Sequence, residues 1–153
     1  MPDVHFLLCG KGFDAANGEL ARWIESSTLS GVLHLLGERR DVPQVLAALD
    51  VATSPSRAEG FPNAVGEAMA CGVPCVVTDV GDSAFIVGAT GQVVPPEAPE
   101  ALADAWYSLL TAGRPRLCAL GLEARRRIEA TFSIERMVRA YEETYTAVLP
   151  RAA

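Results

Sequence analysis

The chain alternates short apolar runs with amphipathic stretches up to about residue 94, and is helical in pattern after that. VHFLL (4–8) is a run of strand type that stops at Cys9-Gly10, and the apolar spacing over 18–28 predicts a helix. VLHLL (32–36) predicts the next strand, ended by Gly37, and 42–49 a short helix with Pro43 near its start. DVATS (50–54) predicts a third strand, 63–71 a helix and VPCVVT (73–78) a fourth strand. A short helical segment over 82–87 and a last strand, GQVV (91–94), follow. Strands of about 4–8 residues alternating with helices imply βαβ units, and so a Rossmann-like parallel sheet with helices on both faces, an α/β fold.

The carboxy-terminal third predicts three helices. PEALADAWYSLLTAG carries Pro99 in its first turn and Gly113 at its end, with Leu102, Trp106, Leu109 and Leu110 on one stripe. The next opens at Pro115 and turns Leu117, Leu120, Ala124 and Ile128 inward, leaving Arg125, Arg126 and Arg127 as a solvated face. Ser133 caps the last, whose apolar stripe of Met137, Tyr141, Tyr145 and Val148 reads as packing surface. With no internal repeat and no long linker, residues 1–153 are expected to form a single domain.

Composition narrows the function. A chain of 153 residues can build its own core. Its 50% hydrophobic and 21% charged residues exclude disorder. The mean hydropathy of +0.20 is high, yet no apolar run approaches the ~18 residues of a membrane span. The surplus is expected in strands buried on both faces and in surface that meets another domain, with exposed sheet as the expected contact of a dimer. A net charge of −6 without a long basic run speaks against nucleic acid as a partner, because cation-driven counterion release dominates such binding. MPDVHF lacks the basic and apolar regions of an export signal, so the expected location is cytoplasmic. Cys9, Cys71, Cys75 and Cys118 form no C-x2-C pair, and His5 and His34 lack metal-ligand spacing. No metal site is therefore expected, and the cysteines read as small buried hydrophobes in a reducing compartment.

Candidate chemistry concentrates in SPSRAEGFPNAVGEAMACGVP (54–74). The stretch begins at the carboxyl end of a strand, where open parallel sheets bind ligands. Asn63 is a candidate N-cap, and Gly72 followed by Pro74 a stop. Backbone N–H groups at 60–65 would then face the strand end with the positive end of the helix dipole, which is an anion site. Ala64, Val65, Ala68, Met69, Ala70 and Cys71 make the helix apolar nearly all round, so it is expected to be buried. Glu67 is its only charge, and a buried carboxylate requires hydrogen-bond donors such as the hydroxyls of a diol. Glu59 lies before the helix start and Glu67 about 6 Å beyond it along the axis, so the pair can bracket a phosphate or diphosphate. From the residues alone, Glu67 reads equally well as solvent-facing or paired with an arginine, and Glu59 as a turn residue. Arg57 can pair with Glu59 or touch phosphate, and Asp79 and Asp82 read as turn and cap residues around Gly81.

EGFPNAVGEAMACGVPCVVTDVG resembles the signature of group 1 retaining glycosyltransferases with the GT-B fold, which carry a Glu, seven intervening residues and a second Glu, here Glu59 and Glu67. LHLLGERRDVPQVLAALDVATSPS before it, and TGQVVPPEAPEALADAWYSLL and FSIERMVRAYEETY after it, are similar to the family's flanking segments, so that the likeness runs over roughly residues 4–149. The resemblance implies the donor-binding half of a two-domain enzyme that moves a sugar from a nucleotide-diphosphate sugar, with UDP as the expected nucleotide, to an acceptor hydroxyl on a glycan, polysaccharide or lipid-linked molecule. It implies that Glu59 contacts the donor sugar near the reacting carbon as the catalytic residue, and that Glu67 binds the ribose hydroxyls. Gly60, Phe61, Pro62 and Asn63 would form the loop against sugar and phosphate, with Arg39, beside Glu38 and Arg40, near the base. No metal or other cofactor is implied, since dipole and cations stabilise the leaving diphosphate. The family's acceptor domain, its first central strand and the Arg and Lys that follow that strand have no counterpart here; the single lysine, Lys11, stands in a different loop. The isolated chain is accordingly expected to be inactive, and the full-length protein to be peripheral to the inner face of the membrane.

Two other classes compete. A non-catalytic module that binds a nucleotide or a partner would share the same fold. In CGKGFDAANG, Gly10, Gly12 and Ala15 mimic the G-x-G-x-x-A fingerprint of NAD-dependent oxidoreductases, but Asn17 and Gly18 interrupt the place where the fingerprint's helix should be running. A turn followed by an N-cap is the simpler reading of those glycines.

Overall fold

The structure, a computed structural model, describes residues 4–149. The chain divides into two compact units, residues 1–42 and 43–153. In the first, β1 (Phe6–Cys9) and β2 (Leu33–Gly37) pair in parallel with Phe6 opposite Leu33, and α1 (Gly18–Ser26) connects them. Asn17 accepts a hydrogen bond from the Leu20 amide at 3.2 Å and caps α1. The glycines of the preceding loop therefore serve a turn, with Gly12 at φ +83°, and Ala15 lies outside the helix. That is the turn-and-cap reading, and it removes the geometry an NAD fingerprint requires. His5 and His34 are both exposed and hydrogen-bond each other, Nδ1 to Nε2, at 3.0 Å.

α2 (Val42–Ala47) leads into the second unit. There β3 (Ala52–Ser54), β4 (Cys75–Thr78) and β5 (Gln92–Val94) form an all-parallel sheet in the order β3-β4-β5. α3 (Asn63–Ala70) and α4 (Ser83–Val87) make the crossovers, and α5 (Pro99–Thr111), α6 (Arg114–Thr131) and α7 (Ile134–Val148) follow. Every residue of β4 is buried, as a central parallel strand requires. Its side chains alternate between two cores. Cys75 and Val77 join Val65, Ala68, Met69, Ile86, Val87 and Ala124 on one face; Val76 joins Val94, Ala105, Leu109, Leu117 and Leu120 on the other. Helices thus cover both faces, with α6 contributing to each.

The expected boundaries hold to within two residues, the full two being trimmed at strand starts, where Asp50 and Val51 precede β3 and Val73 and Pro74 precede β4. α3 ends as its sequence suggests. Gly72, at φ +77°, donates to Met69 O at 2.9 Å while Val73 donates to Ala68 O at 3.1 Å, the paired bonds of a Schellman stop. Its start differs from expectation. Pro62 occupies the N-cap position, Asn63 is the first helical residue, and no side chain caps the helix.

Three further expectations are corrected. The α7 stripe is amphipathic as read, but none of its residues is buried, and Met137, Tyr141, Tyr145 and Val148 are 53–73% exposed. The described residues supply no surface that covers it. Arg127 is not solvated: it is half-buried and donates to the Phe85 and Ile86 carbonyls at the end of α4. Cys9 and Cys118 are exposed, leaving only Cys75 fully buried.

Burial pushes the Cys75 thiol up from its ordinary 9.0 to about 12. The neutral thiol therefore favours the folded state fully below pH 9, and this contribution is lost as pH rises from 9 towards 12. Stability should fall over that window, and the fall should be shallower in Cys75→Ala. At pH 8 a maleimide should label Cys9 and Cys118 and reach Cys75 only on unfolding; labelling of folded Cys75 at the same rate would contradict this.

Candidate functional site

The loops that follow β3, β4 and β5 leave the same, carboxyl edge of the second sheet, because all three strands are parallel. The first, residues 55–62, carries Glu59, Gly60, Phe61 and Pro62. The second, residues 79–82, turns at Gly81 (φ +53°), and the third, residues 95–98, contains Glu97 in the left-handed region at φ +56°.

The first loop is held along its length. Thr78 Oγ1, at the end of β4, donates to Ser56 O at 2.6 Å. Ser56 Oγ in turn donates to Glu59 Oε1 at 2.6 Å, a short bond to an anionic acceptor that fixes the carboxylate's orientation. Asp82 N–H donates to Gly60 O at 2.9 Å. Gly81 lies so close that a Cβ there would sit 2.4 Å from Glu59 O and 2.5 Å from Gly60 O. Only glycine allows this approach and the positive φ together. Ser56, Thr78 and Gly81 were not singled out from the sequence as parts of the site. A serine two residues past β3 and a threonine closing β4 carry no pattern of their own, and only the β3–β4 register brings them together.

Glu67 sits in α3, and there the expectation of a buried carboxylate is wrong. Val65, Ala68 and Met69 face the core, while Ala64, Glu67 and Ala70 are exposed. Alanines are apolar but small, so a face made of them reads as hydrophobic while it costs little to leave in water. Glu67 is therefore accessible and makes no side-chain hydrogen bond or ion pair with the described residues. The desolvation argument for its role fails, and what remains is its place on the open face of the helix, eight residues beyond Glu59. Val65 N–H donates to Pro62 O at 3.1 Å, and because no side chain caps α3, the Asn63 and Ala64 amides and the positive end of the helix dipole are left for a ligand.

Arg57 does not pair with Glu59; its Nε lies 3.2 Å from Glu97 Oε1, an exposed pair joining the first and third loops. Asp82 occupies the N-cap position of α4 without a side-chain cap bond, and its amide instead holds Gly60. Arg39 belongs to the first unit, where it grips Asp41 through two bonds of 2.8 and 2.6 Å. That hydrogen bond holds the Asp41 carboxyl below the usual carboxylate range. The structure thus brings Glu59, Gly60, Phe61, Pro62, Asn63 and Glu67 into one loop and helix of the second unit, and places Arg39 in the other unit. Among the described residues no three His, Cys, Asp or Glu converge as a metal set, and no helix is long and apolar enough to cross a membrane.

An uncapped helix, with Glu59 before it and Glu67 on it, thus stands at the carboxyl edge of a parallel sheet, the edge at which open α/β sheets take ligands. Residues 1–112 match the model of the family described as glycosyl transferases group 1, and the chain belongs to that family. It is 33% identical over 155 residues to the lipopolysaccharide core biosynthesis mannosyltransferase LpsB of Rhizobium meliloti, covering 97% of this chain and 44% of that protein. It is 32% identical over 152 residues to the phosphatidyl-myo-inositol mannosyltransferase of Mycobacterium leprae, covering 95% and 39%. Among solved structures it superposes on Anabaena Alr3699/HepE in complex with UDP with a TM-score of 0.86 at 25% identity, covering 97% of this chain and 42% of that one. The fold is that of GT-B glycosyltransferases. The chain spans less than half the length of these relatives.

Proposed function

We propose that this chain is the donor-binding half of a retaining glycosyltransferase, taking a nucleotide-diphosphate sugar, with UDP as the nucleotide, at the carboxyl edge of the β3-β4-β5 sheet. One observation carries the reading. The loop bearing Glu59 is held by three separate contacts just ahead of an uncapped helix whose open face presents Glu67. In this reading the α3 amides and dipole receive the diphosphate, Glu67 accepts hydrogen bonds from the ribose diol, and Glu59, aimed by Ser56, meets hydroxyls of the sugar near the reacting carbon. The acceptor hydroxyl comes from a glycan, polysaccharide or lipid-linked molecule, in keeping with relatives named for lipopolysaccharide core and phosphatidyl-myo-inositol.

Donor binding by this chain is expected to be weak. Glu59, Glu67, Asp79, Asp82 and Glu97 populate these loops and α3, and Arg57 is engaged by Glu97. Among the described residues of these loops and α3, Arg57 is the only cation, so backbone amides and a helix dipole must supply most of the attraction for the diphosphate. Thermal unfolding should shift upward with millimolar UDP and UDP-glucose and stay unmoved with NAD, since a ligand stabilises only the state that binds it. Stabilisation by NAD alone would overturn the reading. The chain by itself should transfer no sugar in a radiolabelled-donor assay, and calorimetry giving sub-micromolar donor affinity would contradict the charge argument.

A further inference from the structure

We propose that Phe132 is a positioning residue for the Glu59 loop. It acts from more than 70 positions away in the sequence, and the part of its test that uses a ligand rests on the donor-binding reading. Phe132 is the C-cap of α6, half-buried against the core of the second unit. Its ring is the hub of an aromatic cluster. Phe61, inside the loop, meets it edge-on with centroids 5.9 Å apart, and Phe85 of α4 meets it edge-on at 5.5 Å. The Arg127 guanidinium lies 5.8 Å from its centroid and binds the Phe85 and Ile86 carbonyls, the last turn of α4. Gly88 makes room for that guanidinium, since a Cβ there would lie 2.8 Å from it.

These contacts tie three elements to one ring. α6 supplies Phe132 and Arg127, α4 supplies Phe85 and its terminal carbonyls, and the loop supplies Phe61. The Thr78 and Asp82 bonds hold the loop by its backbone at Ser56 and Gly60. Phe61 follows them, is itself 48% exposed, and leads directly into the first turn of α3. Its edge contact with Phe132 is the brace on this last stretch, so the ring sets where Phe61 and Pro62 sit between Gly60 and the start of α3. α3 itself is held by Val65, Ala68 and Met69 in the core and does not depend on that brace.

The test compares Phe132→Ala, Phe132→Tyr and Arg127→Met by hydrogen–deuterium exchange and by titration with UDP and UDP-glucose. In Phe132→Ala, exchange of the Val65 and Asp82 amides, which donate to Pro62 O and Gly60 O, should rise about tenfold, the scale set by losing two aromatic edge contacts and a cation–π contact, while β4 stays protected. Phe132→Tyr keeps the ring and should return to within about twofold of the parent, and Arg127→Met should loosen α4 with a smaller effect on the loop. Affinity for UDP-glucose should fall about tenfold in Phe132→Ala while affinity for UDP falls no more than about twofold. A merely structural residue would not produce that split. Unchanged exchange at the Val65 and Asp82 amides, or an equal rise across β4 and the last turn of α3, overturns the proposal. If Phe132→Ala does not fold, Phe132→Leu keeps the volume without the ring, and its exchange is read in the same way. Should the parent chain bind neither ligand, the donor reading fails, and the exchange contrast still decides the positioning role.

Discussion

Gly121→Ala should lower the stability of the fold by about 3 kcal/mol, the upper end of what overpacking costs, and lower the thermal midpoint by roughly 10 °C on the scale expected for a chain of this size. α6 crosses α3 at its carboxyl end, and Gly121 is the residue at the crossing: an ideal Cβ there would lie 1.9 Å from Gly72 O and 2.8 Å from its carbonyl carbon. Neither partner can retreat cheaply. Gly72 is itself in the left-handed conformation that terminates α3, and Pro74 and the fully buried β4 follow at once. On the other side Leu117, Leu120 and Ala124 anchor α6 in both cores. Gly66→Ala is the matched contrast. Gly66 lies inside α3 with nothing within 4 Å of its would-be Cβ, so alanine there should raise stability by about 0.5–1 kcal/mol through helix propensity alone. Denaturant melts of the two variants read the difference directly. A wild-type midpoint for Gly121→Ala would mean that the α3–α6 crossing is looser than described.

Glu67→Ala should weaken UDP binding by about 10–100-fold, the range of hydrogen bonds made to a charged acceptor, and leave the thermal midpoint of the free chain unmoved. The two halves of this expectation have separate causes. The side chain is exposed and unpartnered among the described residues, so the folded state does not rely on it. In the proposed complex both of its oxygens accept from one diol, so the loss falls on the complex. Glu67→Gln keeps one oxygen acceptor and should lie between. Equal UDP affinity in parent and Glu67→Ala, measured by calorimetry, would remove Glu67 from the site, and a large drop in midpoint would show that it is structural.

Much of the architecture was legible in the residues. β4 reads as VPCVVT because a central parallel strand meets apolar neighbours on both faces, and Gly72-Val73-Pro74 announces the end of α3 because few sequences can make that stop. The family resemblance rests on the spacing of Glu59 and Glu67 with their flanks, and the family match bears it out. Where the reading of α3 failed, it failed because Ala64 and Ala70 were counted as hydrophobic and so as buried. Small apolar residues leave the inward face undecided, and neighbouring elements decide it.

The sequence by itself therefore determined the order and type of elements, the parallel sheet and the family, since each is written in local periodicity, turn chemistry and motif spacing. Tertiary structure alone decided that Glu67 is exposed, that Arg57 is engaged by Glu97, that Arg127 reaches α4, and that Phe132 reaches the Glu59 loop. Those pairings join positions about 40 to 70 residues apart, and they depend on strand register and helix crossing, which no local pattern of side chains encodes.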